Sequence, residues 1–112
     1  MLVEGTRIHV LVRRLFAGDL RRHFVGEVLD ASGGLARVSG FGFVFDEGRN
    51  RFIRCREEQE RLVALDDARN LVTLLPDDLD PAVLQLWVSS GRRVTLTDGD
   101  EYSLEISELD GG

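Results

Sequence analysis

A mainly β fold is predicted: a small antiparallel barrel or meander of about seven to nine strands, with one short helix near 81–87. Three observations predict it. Short apolar runs recur every 8 to 12 residues with turn residues between them. Several of those runs alternate apolar and polar side chains with the period of two that a half-buried strand requires. Leu, Ile, Val and Phe number 38 of 112 residues, well above the share at which chains fail to bury a core. One compact domain over 1–110 is expected, with Gly111 and Gly112 as a loose tail. The alternative architecture is an α+β sandwich.

The first strand is read over Thr6–Arg14. Ile8, Val10 and Val12 fall on one face, and Arg7, His9 and Arg13 share the other with Leu11. Ala17-Gly18-Asp19 turns the chain. The second strand runs from His23 to Asp30, and the adjacent Gly33 and Gly34 supply the positive φ that hairpins need. A five-residue loop over 30–34 places Glu27 opposite Arg37. The third strand, Leu35 to Phe45, sets Phe41, Phe43 and Phe45 on one face and Gly40 and Gly42 on the other. Glycines inside a strand mark a bend or a close backbone approach. A five-residue loop over 46–50 then pairs Phe43 with Ile53 and Phe41 with Cys55.

Residues 57–69 have helix propensity from Glu57 to Leu65. Leu62-Val63-Ala64-Leu65, then Asp66-Asp67, then Leu71 to Leu75, reads better as strand, turn, strand. Asp80 followed by Pro81 is a cap and first position for a short helix. The last hairpin flanks Asp98-Gly99-Asp100. A three-residue loop there pairs Leu96 with Tyr102 and Val94 with Leu104, with Asp100 taking the left-handed conformation.

Composition excludes several chemistries. All fourteen basic residues are arginine, so there is no Schiff-base amine and no phosphate-loop lysine. The single cysteine, Cys55, forms no internal disulfide and no thiolate metal cluster. No run approaches the 18 apolar residues of a membrane-spanning helix, and a cytoplasmic location is expected. The net charge is −6, and it is unevenly spread. Residues 1–61 hold eleven Arg against nine acids, and residues 62–112 hold three Arg against eleven. The acidic balance weighs against nucleic acid as a partner, while arginines on the first half remain able to attract an anion at close range.

Ser39 to Phe45 reads Ser-Gly-Phe-Gly-Phe-Val-Phe. It resembles the longer ribonucleoprotein motif of RNA-recognition domains, and the likeness extends roughly over residues 8–75. The segments Asp19 to Phe24 and Gly26 to Val28 are similar to that family's first helix and second strand. The resemblance implies a sheet from which Phe41 and Phe43 stack on single-stranded RNA. Ser39 stands where that motif is basic, and Asp46 where it ends in an aromatic ring. The same alternating rings also serve as a core stripe. Asp30 to Leu35 resembles the D/N-x-S-x-x-G segment of PilZ domains, which bind a cyclic dinucleotide. Here Leu35 replaces the final glycine, no R-x-x-x-R precedes the segment, and a hairpin loop accounts for it equally.

Arg13, Arg14, Arg21 and Arg22 bracket one turn, so the pairs approach each other with His23 alongside, as a rim for a phosphate or carboxylate. His9 and His23 can meet across adjacent strands, which alone is two ligands short of a zinc site; a rim position suits both. Asp77, Asp78 and Asp80 lack the spacing of a calcium loop. Trp87 suits a core anchor or a partner contact. No catalytic set assembles from these residues. The sequence points to a non-enzymatic binding or scaffold domain without a cofactor, acting through a protein partner or self-association. Single-stranded RNA on Phe41 and Phe43, and a small anion on the arginine rim, are the alternatives.

Overall fold

The computed structural model describes residues 2–13, 21–88 and 93–106. Among them are nine strands and one 3-10 turn, so the fold is mainly β and antiparallel. The strands are β1 (Arg7–Val12), β2 (Arg22–Ser32), β3 (Leu35–Asp46), β4 (Arg51–Arg54), β5 (Gln59–Ala64), β6 (Asn70–Leu75), β7 (Gln85–Val88), β8 (Val94–Thr97) and β9 (Ser103–Ile106). The first sheet has the order β4-β3-β2-β1-β6, with β5 also pairing β3. The second is β7-β8-β9.

The first sheet curls strongly. Its two edge strands, β5 and β6, meet where Asn70 Nδ2 donates to the Ala64 carbonyl at 2.9 Å. In a flat sheet the four gaps between them would hold them ~19 Å apart. The curl is made where Gly26 faces Gly40 on β2 and β3. A methyl group on Gly40 would overlap the carbonyl oxygen of Val25, so the two backbones approach as only glycine permits. The barrel is not closed, because β5 and β6 form no ladder with each other.

Each face of the curled sheet has its own core. The concave face buries Ile8, Val10, Phe24, Val28, Ala36, Val38 and Val63. The convex face is roofed by the second sheet: Leu11, Val25, Phe41, Phe43, Phe45 and Phe52 pack against Leu84, Leu86, Val94, Leu96 and Ile106. Arg7 also ties the sheet to the segment before β7, its Nε donating to the Leu79 carbonyl at 3.2 Å.

Several expectations hold. Residues 57–69 do carry a strand and a turn into a further strand, but β5 pairs β3 and β6 pairs β1. Gly33 and Gly34 form the β2–β3 turn with φ of 57° and 85°. Asp80 accepts from the Ala82 amide at 2.9 Å with Pro81 at the first position.

Others are corrected. The β2–β3 turn has two residues, not five, and Leu29 is a bulge, so Arg37 faces Asp30 and Glu27 faces Ser39. Arg37 accordingly pairs with Asp30 and Glu60 (both 2.9 Å), and Glu27 with Arg7 (3.2 Å). The β3–β4 turn is one residue shorter than expected. Phe43 therefore faces Arg54, and Phe45 faces Phe52. A one-residue slip reverses every side chain's face, which puts Ile53 at the surface and Cys55 beside Gly42. The helix near 81–87 is a single 3-10 turn, Pro81–Val83, because β7 already begins at Gln85. The last hairpin has a five-residue turn pairing Leu96 with Leu104 and Val94 with Ile106. That differs from the expected register by two residues, so each side chain keeps its face. Its left-handed residue is Gly99 at φ 82°, not Asp100, and Asp98 Oδ1 accepts from the amides of Asp100 and Tyr102.

Candidate functional site

Two sheet edges run beside one another on the surface. β4 is the edge of the curled sheet beyond β3, and β7 is the edge of the second sheet beyond β8. A groove of about 400 Å³ lies along them, walled by Arg51, Ile53 and Arg54 on one side and Gln85, Trp87 and Val88 on the other. Phe52 and Leu86 form its floor, and both are buried. Phe52 is fixed edge to face by Phe45 at 5.1 Å and His23 at 4.9 Å, so the floor is rigid.

The lips are exposed. Trp87 is 62% accessible and Ile53 39%. Trp87 alternates with Leu86 and Val88 on β7, and Leu86 claims the inward direction, which leaves the indole on the solvent side. Arg54 is positioned from two directions: its guanidinium lies 4.4 Å above the Phe41 ring, and Nη1 donates to the Ala82 carbonyl at 2.6 Å. Arg51 is exposed and forms no ion pair with a described residue. Among the described residues no carboxylate lines the groove, so it carries a positive wall in a protein of net charge −6.

The other residues singled out from the sequence are placed as follows. Phe41, Phe43 and Phe45 lie under the second sheet with at most 8% accessibility, so Phe41 and Phe43 offer no open face for stacking a base. The alternating stripe is core because β7–β9 cover it. Asp30 to Leu35 is part of a hairpin whose turn is Gly33-Gly34.

The arginine rim is divided by strand alternation. Arg22 is exposed at the start of β2, across from Val12, with Arg13 next to it. Arg21 instead lies with its guanidinium 3.7 Å over the Phe45 ring, towards the convex side. Arg14 falls outside the described residues. His23 is buried under the roof, not exposed alongside the arginines.

His9 and His23 do meet, on diagonal positions of β1 and β2, with His9 Nε2 2.8 Å from His23 Nδ1. Both are buried at 1–2% accessibility, which corrects the expected rim position. Arg7 and Leu11 flank His9 on the same strand face, where Leu11 belongs to the core beneath the second sheet. His9 Nδ1 has no hydrogen-bond partner among the described residues. We assign Nε2–H of His9 as the donor, because a bare ring nitrogen costs less to bury than an unpaired N–H. Burial, and then the neighbouring His23, holds His9 down at a pKa of about 3, so its ring is neutral at pH 7. Among the described residues no group of three or more His, Cys, Asp or Glu converges on a metal position.

The groove was only partly visible in the sequence. Trp87 stands out there, but Ile53 is expected opposite Phe43, and no local signal brings residues 51–54 beside 85–88. No protein-family model matches the chain, and neither curated proteins nor solved structures give a match.

Proposed function

We propose that this protein is a non-catalytic interaction domain that docks an extended, acidic polypeptide segment in the groove between β4 and β7. The carrying observation is Trp87, a large ring left exposed beside Ile53 on two sheet edges, against a buried aromatic floor. Edge strands bind extended peptides through main-chain hydrogen bonds, with side-chain pockets adding specificity. Tryptophan and arginine are the residue types that most often dominate such interfaces. Arg51 and Arg54, with no carboxylate in the groove, set the preference for acidic partners. A second copy of this chain is one source of such a segment, since residues 62–112 hold eleven acids against three Arg.

Trp87 is the only tryptophan, so its fluorescence reads the groove directly. The probes are a decapeptide alternating Glu and Val, a Lys–Val counterpart, a single-stranded oligonucleotide, and the protein itself over a concentration series. A blue shift is expected with the Glu–Val peptide and not with the Lys–Val peptide, and Arg51→Glu should abolish it. By calorimetry, Trp87→Ala should weaken the peptide by about 2 kcal/mol or more while folding stability changes by less than ~0.5 kcal/mol. A shift only with the oligonucleotide, or no shift with either the acidic peptide or rising protein concentration, would overturn the reading.

A further inference from the structure

The concave face of the curled sheet is filled at one end and hollow at the other. Where Gly42 replaces a side chain, a cleft of about 370 Å³ opens towards the seam between β5 and β6. Its size falls within the ~300–1,000 Å³ range of small-ligand sites. Val10, Val12, Phe24, Val44 and Val63 supply an apolar wall. Gly42 is its floor: a Cβ built there would stand 3.5 Å from Cys55 Sγ and 3.8 Å from Phe24 Cδ1, with no backbone clash. The cleft exists because β3 meets two separate strands on this edge. Cys55 to Glu58 break the line between β4 and β5 opposite Phe41 and Gly42.

Two guanidiniums stand at the mouth. Arg22 projects from the start of β2 and has no ion pair among the described residues. Arg61 projects from β5, its guanidinium 5.7 Å from the Phe24 ring centroid and its Nη2 donating to Gln59 Oε1 at 2.7 Å. Two neighbouring acids are engaged elsewhere. Glu60 pairs with Arg37 on the opposite face at 2.9 Å, and Asp67 pairs with Arg69 at 2.8 Å. Among the described residues no carboxylate lines the cleft. An apolar hollow under two arginines that pair with no acid among the described residues matches a ligand with one anionic head and a short apolar body.

We propose that this cleft binds an amphipathic anion. Its carboxylate or phosphate head is held by Arg22 and Arg61, and its apolar body lies along Val10, Val12 and Phe24 over Gly42. The site is separate from the β4–β7 groove and shares no lining residue with it.

Cys55 is the only thiol and lines the cleft, so its alkylation by neutral iodoacetamide reports occupancy. The probes are octanoate, octyl phosphate, octanol and octylamine. Octanoate or octyl phosphate should slow alkylation in a saturable way, whereas octanol and octylamine at equal concentration should not. The better of the two anions identifies the preferred head group. Arg22→Gln with Arg61→Gln should weaken protection about tenfold or more, with protection measured against the double variant's own unliganded alkylation rate. Gly42→Ala should fold normally and also bind more weakly, because its methyl occupies the floor. The proposal fails if neither anion protects at millimolar concentration. It also fails if octanol protects as well as octanoate, or if the double arginine variant protects as the parent does.

Discussion

The two faces of the curled sheet are built from alternate residues of the same strands, and they have opposite fates. The convex face is covered by a second sheet that brings its own Leu84, Leu86, Val94, Leu96 and Ile106, so its interior is packed and space remains only at its rim, in the β4–β7 groove. It even takes in two histidines, one with a ring nitrogen that finds no partner among the described residues. The concave face has only itself to pack against. It fills where Ile8, Val28, Ala36 and Val38 converge, and stays hollow where Gly42 and the break after β4 remove side chains. A face packed by a separate element is limited by that element's shape, whereas a face that packs on itself is limited by its own curvature. An internal cleft is therefore left on the self-packed side, and the covered side offers only the surface groove at its rim.

The comparison is tested most severely by Phe43→Ala. Phe43 is 2% accessible under the roof, and truncation should cost about 3–5 kcal/mol in denaturant unfolding. A cost under ~1 kcal/mol would mean that the roof is loosely seated.

Next come the two glycines of β3. Gly40→Ala drives a methyl into the β2 backbone and should cost about 2–3 kcal/mol. Gly42→Ala meets only ordinary contacts and should change stability by less than ~1 kcal/mol in either direction. Equal effects would show that the concave face is uniformly packed.

At pH 7 the contribution of His9 is nil, and it emerges only on acidification. Its folded pKa lies well below the unfolded value near 6.5, so the unfolded chain binds the extra proton. Stability is unaffected by this group above pH 6.5 and falls as pH drops from 6.5 towards 3. The slope approaches ~1.4 kcal/mol per pH unit once the unfolded histidine is protonated. Urea unfolding at pH 7, 6 and 5 measures it above the carboxylate range, and His9→Leu should flatten that limb. An unchanged slope in His9→Leu would show that water reaches the ring.

Much of the architecture was legible in local pattern. The Phe41, Phe43 and Phe45 alternation, the Gly33-Gly34 turn, the strand-turn-strand run through 59–75 and the Asp80-Pro81 cap all follow from period and turn chemistry. Registers were less legible. At the β3–β4 turn, lengths of four and five residues both give plausible apolar pairs, and they send Ile53 and Cys55 to opposite faces. The polar look of Arg7 and His9 concealed a buried face, because its cover comes from residues 84–106. The arginine rim was read from adjacency along the chain. Alternation separates Arg21 from Arg22, and pairing through β3 brings Arg61 to Arg22 instead.

The sequence alone determined which segments become strands and where they turn, since a period of two and a glycine's φ are properties of neighbouring residues. Tertiary structure decided which face of each strand is covered, which arginines share a mouth and where a cleft remains. Those depend on registers and on the docking of one sheet against another, and these are set by packing between residues distant along the chain.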